Sequence, residues 1–367
     1  MKKIKFNLLR PLLVNFLLIV FFSSAIKSVG QSTPNRSLLA LSKQDHTLAI
    51  VDPVSLKVIA RVPVGIDPHE VVASSDGKTA YVSIYGGGSL HEINVIDLIA
   101  QKPLFNIDTR PLFGPHGLTF VGGKLWFTAE GSKSIGRFDP ATGKLDWSMG
   151  TGQDRTHMIY VTNDQKNIYT TNVSSGTVSI LTASLMQPGG GPPPGTQPPA
   201  GTQPPPGAQP PPGAQSHETW TQTLVPVSRG SEGFDVSPDG KQLWTVSSDD
   251  GTIAVIDIAS KKVVSKIDAK VLGANRLQFT PDGKMVLISS LRIGNLFVYD
   301  AKSQKELKQI NIGHGAAGIL VDTDGSRAFL GCTGDNYVAI VNLKTLEVSG
   351  HLDVGKGPDG LAWAIRQ

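Results

Sequence analysis

Two or three apolar residues closing on Asp, then a turn, then Lys-Val or a relative of it, recur from one end of this chain to the other. The phrase closes at Asp52, Asp97, Asp139, Thr182, Asp257, Asp300 and Asn342, at separations of 45, 42, 43, 75, 43 and 42 residues. A period of forty-odd residues confines the chain to an array of equivalent units, so the fold is decided by how those units stack. The one long interval is accounted for by residues 187–215, QPGGGPPPGTQPPAGTQPPPGAQPPPGAQ. Proline at that density removes backbone donors and favours extended polyproline II, and Gly and Gln offer nothing to bury, so this stretch is expected to be a solvated, disordered insert. The repeat continues in phase on both sides of it, which argues for one domain over residues 31–367 and against a boundary.

Within each unit the pattern is that of strands. Runs such as Gln242–Val246 and Thr252–Ile256 alternate and are rich in β-branched and aromatic residues. Asp-Gly turns punctuate them at Asp76-Gly77, Asp239-Gly240, Asp282-Gly283 and Asp324-Gly325, where Gly tolerates the positive φ of a tight hairpin. Four short antiparallel strands in a unit of this length make a propeller blade. The first unit, Leu38 to Val64, holds only three strands, and the chain finishes in an orphan inner strand, Gly360 to Ile365. Joining the two predicts an all-β, seven-bladed β-propeller of four-stranded antiparallel blades, its first blade closed by the C-terminal strand.

The run Asn167–Ile180, NIYTTNVSSGTVSI, resembles the signature of the YVTN-type propeller repeat of YncE-like and surface-layer-like bacterial proteins, and Val62–Pro68, VPVGIDP, resembles its repeat junction. The resemblance covers nearly the whole chain outside the Pro-rich insert. It implies the propeller fold; the family includes binding proteins, surface proteins and enzyme subunits, so it implies no single activity.

The first residues carry Lys2, Lys3 and Lys5, an apolar run from Leu12 to Phe22 broken only by Asn15, and then Ser23, Ser24 and Ala25. That order reads as a signal peptide over residues 1–30, cut near 25 or 30, and too short for an ordinary membrane span. A secreted protein follows, in the periplasm or at the cell exterior, with no transmembrane helix in the mature chain; a monomer is expected. A cut near residue 25 removes Lys2, Lys3, Lys5 and Arg10 and brings the formal charge from +4 to 0, which takes away the electrostatic case for nucleic acid. Cys332 is the only cysteine, so neither an intrachain disulfide nor a multi-Cys zinc site can form. It reads as a small residue at a strand end.

Propeller chemistry gathers where the loops leading into the inner strands converge on the axis. Aligning the residue just before each inner strand gives His69, His116, His157, Glu232, Asn275, Ala317 and Asp359, with Glu70, Arg276 and His314 adjacent. The ring offers a ligand-binding rim of His69, Glu70, His116, His157, Glu232, Asn275, Arg276 and Asp359. His69, His116 and His157 are candidate ligands for a divalent metal such as Mg, Mn or Zn, since imidazole and carboxylate are common metal ligands and proton carriers. A wet rim whose polar groups simply bond to loops and water is the competing reading. His46 and His91 fall in turns away from the ring, and Trp126 and Trp244 read as packing between blades.

One blade goes further. Gly114–Phe120, GPHGLTF, with Leu125–Glu130, LWFTAE, and Ile135–Asp139, IGRFD, is similar to a blade of the streptogramin (virginiamycin B) lyases. That resemblance implies a His and Glu cluster around magnesium, carried here by His116, His157 and Glu130 or Glu232. Ala129 stands where the family places Glu, and a one-residue displacement within a strand predicts that Glu130 points away. Two functions follow: a binding or scaffold module whose channel mouth takes a small polar ligand, a metal or a protein loop, and a metal-assisted lyase or lactonase using the same ring. GxSxG, P-loop and HExxH patterns are absent from the sequence, and no GxGxxG run has the strand-to-helix setting of a Rossmann fingerprint.

Overall fold

The computed structural model describes Met1, residues 31–186 and residues 215–366. The signal-peptide reading and nearly all of the Pro-rich insert therefore lie outside the described residues. Among these residues are seven four-stranded antiparallel sheets, each formed of strands of about six residues. Together they form the seven-bladed β-propeller. No helix of the described residues is long and apolar enough to cross a membrane.

The blades stack because the second and third strands of each are buried on both faces. In blade 1, Leu39, Leu41, Leu48 and Ile50 pack with Val82, Ile84 and Ile96 of blade 2. Their alternate neighbours Leu38, Ala40, Ala49 and Val51 pack with Phe329, Val338 and Ile340 of blade 7. Period-two alternation thus feeds two different cores, as it must when both faces of a sheet are covered. Trp126 and Trp244, both fully buried, lie in the cores between blades 3 and 4 and between blades 5 and 6. Cys332 is buried at the end of the second strand of blade 7.

Blade 1 is closed by Pro358–Ile365, which pairs antiparallel with Arg36–Ser42. The joint is reinforced from blade 7. Asp322, 1% exposed, receives Arg36 of blade 1 on one oxygen and Arg327 Nε on the other at 3.0 Å. Arg36 also lies 4.0 Å over the ring of Trp363, whose indole N–H donates to the Val321 carbonyl at 2.9 Å.

Every inner strand begins with the same irregularity. Pairing skips two residues against one at His69-Glu70, His116-Gly117, His157-Met158, Glu232-Gly233, Asn275-Arg276, Ala317-Gly318 and Asp359-Gly360. These are β-bulges, which re-aim a side chain at the cost of an unpaired backbone group. A hydroxyl on the second strand often supplies the missing partner. Thr128 accepts the Gly117 N–H at 2.9 Å and donates to the His157 carbonyl of the next blade. Ser289 does the same between Arg276 N–H and the Ala317 carbonyl, at 3.1 and 2.6 Å. The ring residues therefore lie inside the strands, in bulges tied to two blades.

Candidate functional site

Three sets of equivalent positions build a cavity of about 390 Å³ at the mouth of the channel. The first is the bulge ring, of which His69, His116, His157, Glu232, Asn275, Ala317 and Asp359 all line the cavity. The second is the residue that follows each second strand, of which Lys43, Tyr85, Leu291 and Thr333 line the cavity and Glu130 lies behind His157. The third is the residue two before each bulge, of which Arg155 lines the cavity and Asp67 bonds to the lining residues Lys43 and His69.

The second set explains Glu130. Its strand ends at Ala129, and Glu130 opens a short 3-10 turn, so strand alternation no longer governs its direction. The expectation that it points away is corrected: Glu130 is 6% exposed and accepts a hydrogen bond from His157 Nδ1 on one oxygen and from the Tyr85 hydroxyl, at 2.6 Å, on the other. Burial alone would push this carboxyl up, but the hydrogen bonds from His157 and Tyr85, with the charge of Arg155, outweigh it and hold Glu130 below the usual carboxylate range. Burial and the carboxylate together push the Tyr85 phenol up, so it stays a donor.

His116 and His157 are 2% and 3% exposed, and their ring centroids lie 4.0 Å apart. Burial, followed by electrostatic repulsion from the neighbouring His157, His69, Arg276 and Lys43, drives the His116 pKa well below its ordinary value, so the imidazole is neutral. With Nδ1 of His157 committed to Glu130, His157 Nε2 and His116 Nδ1 remain buried without a hydrogen-bond partner. Such atoms are costly unless something meets them. Donor atoms of His116, His157 and Glu130 all lie within 4.8 Å of one another. Two imidazole nitrogens and a carboxylate suit a borderline-soft dication.

The remaining candidates take other partners. His69 Nε2 lies 2.8 Å from Lys43 Nζ and 3.0 Å from Asp67 Oδ1, so it neighbours the His116–His157 pair without sharing its donors. Glu232 is held by Arg155 Nη2 at 3.1 Å and by Asn275 Nδ2 at 3.0 Å. Asp359 faces Lys43 at 3.4 Å. His314 is exposed and bound to Asp335. Lys43, Asp67, Tyr85 and Arg155 escape an alignment of inner strands because they belong to the other two sets; aligning the ends of the second strands finds Lys43 and Tyr85.

Glu70 and Arg276 face each other across the channel and form an ion pair, with side chains 12% and 11% exposed. Arg276 lines the upper cavity and also a second chamber of about 210 Å³ beyond it, walled by Leu118, Met158, Phe234, Leu277 and Ile319. Asp235 lines that lower chamber. Burial raises its carboxyl to about 6, against the pull of the Phe279 and Val236 N–H groups. A raised carboxyl binds its proton more readily folded than unfolded, so the stability it contributes is greatest below about pH 4 and is lost as pH rises towards 6. Replacing Asp235 with Asn is expected to stabilise the protein at pH 7 by on the order of 1–2 kcal/mol, discounted for channel water, and to leave it unchanged at pH 4. Urea denaturation of both proteins at the two pH values checks this; equal stability differences at both would refute it.

No family model matches the chain, and no curated protein matches it. Solved structures do. A functionally unknown protein from Desulfotomaculum acetoxidans superposes with a TM-score of 0.68 at 10% identity, over 90% of this chain and 99% of that one. A candidate 6-phosphogluconolactonase from Bacteroides fragilis gives 0.67 at 14%, over 91% and 99%. A second, from Bacteroides uniformis, gives 0.64 at 14%, over 89% and 99%. At these identities the likeness shows the fold.

Proposed function

We propose that this protein is an exported binding propeller that takes a small polar ligand at the upper mouth of its channel, around a divalent metal ion held by His116 and His157. The observation that carries the reading is the pair of buried, partnerless imidazole nitrogens, with Glu130 fixing the tautomer of His157 from behind. A carboxylate behind a metal-ligating His is the usual way its ring is oriented and its basicity raised. Charge supports an ion as well: around the mouth five carboxylates, Asp67, Glu70, Glu130, Glu232 and Asp359, outnumber the lysine and arginine cations Lys43, Arg155 and Arg276, which favours a bound cation. Nitrogen donors favour Zn over Mg, which prefers oxygen. So few protein ligands would leave coordination positions for a ligand oxygen. The YVTN-like repeat and the leader agree with an exported binding or surface role, in the periplasm or at the cell exterior.

A metal-assisted lyase or lactonase is the second reading, favoured by the Tyr85–Glu130–His157 chain. In that reading a bound ion would polarise the reacting carbonyl, and the Tyr85 hydroxyl, kept protonated and lining the cavity, could donate a hydrogen bond to it. The resemblance of blade 3 to the streptogramin lyases and the lactonase-described neighbours point the same way.

Elemental analysis of protein purified without chelators tests the shared premise. About one Zn or Mn per chain is expected in the parent, and none in the doubly substituted His116→Ala, His157→Ala protein. Metal retained by that variant, or a parent that stays metal-free after incubation with Zn and Mn, would overturn the site.

A further inference from the structure

The position two residues before each bulge has the same backbone in all seven blades. It is left-handed, with φ of 55° at Asp67, 66° at Gly114, 53° at Arg155, 78° at Gly230, 69° at Gly273, 68° at Gly315 and 64° at Gly357. The reason is a hydrogen bond. Its carbonyl accepts the N–H of the residue after the second strand of the same blade: Lys43 to Gly357, Tyr85 to Asp67, Glu130 to Gly114, Val173 to Arg155, Ser248 to Gly230, Leu291 to Gly273 and Thr333 to Gly315, at 2.7–3.2 Å. A left-handed turn aims that carbonyl back at the strand, and glycine adopts it without a Cβ penalty. Five blades accordingly use glycine. At Gly114, Gly230 and Gly273 a Cβ would meet neighbouring atoms at 2.5–2.7 Å.

Blades 2 and 4 depart from this pattern, and both place a charged side chain at the rim of the cavity. Backbone strain kept where a strain-free residue serves the sister units points to a task for the side chain. Asp67 is already engaged by Lys43 and His69. Arg155 is engaged only in part: its side chain is 44% exposed, against 24% for Lys43 and 11% for Arg276, the other cations lining the cavity. One of its five N–H donors is spent on Glu232 at 3.1 Å, and Nε stands 3.8 Å from Glu130, which leaves donors free on a side chain that lines the cavity.

We propose that Arg155 is the ligand-recognising side chain of this cavity and that the ligand carries an oxyanion group, which its fork binds in bidentate fashion. The proposal rests on reading the cavity as a ligand site and goes beyond it in naming the ligand's chemistry. Carboxylate and phosphate match the planar fork, whereas a point-charge lysine does not. The ligand's anionic end lies over Arg155 at the blade 4 rim, and its other polar groups reach the His116–His157 corner.

The test is calorimetric titration of inorganic phosphate into the parent, Arg155→Gly and Arg155→Lys proteins, with melting temperature and metal content measured on the same samples. The parent should bind phosphate with Kd on the order of 1 mM or tighter, and Arg155→Gly at least about tenfold more weakly. Arg155→Lys should recover only part of the loss. Arg155→Gly should melt within a few degrees of the parent temperature, because the relaxed left-handed backbone offsets the loss of the part-exposed ion pair to Glu232, and its metal content should not change. A parent that ignores phosphate, equal binding by the glycine variant, or a glycine variant that melts well below the parent would each overturn the assignment. A metal-free protein that still binds phosphate through Arg155 would instead refute the ion and leave this inference standing.

Discussion

Removal of residues 361–367 should abolish cooperative folding. Five of the six paired positions between the C-terminal strand and Arg36–Ser42 disappear with those residues, leaving blade 1 without its inner strand. At about 1 kcal/mol for each lost hydrogen bond and several more for the burial of Leu361, Ala362, Trp363 and Ala364, the loss is about 10 kcal/mol. That is the scale of a whole domain's stability. It also uncovers Leu39 and Leu41, which are buried in the core shared with blade 2, and exposes an unpaired strand edge. The truncated chain should show a broad, shallow urea transition by circular dichroism and should associate. A sharp transition at the parent midpoint would show that ring closure contributes little.

Asp322→Ala should be the most damaging single substitution at the same joint, at about 2–3 kcal/mol. Removing one partner of a buried ion pair leaves the other charge uncompensated, typically at 3–5 kcal/mol. Here two guanidinium groups lose their acid, but Arg36 and Arg327 have side chains 33% and 27% exposed, so water recovers part of the penalty. Arg36 would also lose the anchor that holds it over Trp363. The measurement is the urea midpoint at unchanged slope. Lys284→Ala serves as the contrast: with its partner Asp282 half-exposed, it should change stability by less than about 0.5 kcal/mol. Equal effects from the two substitutions would refute the special role of Asp322.

The spacing of Asp52, Asp97 and their counterparts carried the blade count, because the repeat recurs wherever a sheet must bury both faces. The inner-strand alignment groups His116 and His157, which line one cavity, because a bulge at a constant position aims every ring residue alike. Glu130 resisted the same logic. Its direction depends on where a strand ends, and a single residue at Ala129 decides whether alternation applies. Arg155 and Asp67 were hidden for another reason: they stand in for glycine, so they look like ordinary loop residues until the shared left-handed turn is seen. The Glu70–Arg276 pair joins residues 206 positions apart in the chain, a contact that no local pattern announces.

That ion pair stands between the two chambers, so a molecule held at the His-lined rim meets a charged bridge before it reaches the apolar walls below. The paired strands Thr177–Met186 and His217–Pro226 extend at the other end of blade 4 from that rim, so sequence change along their extensions leaves the lining of the upper chamber untouched.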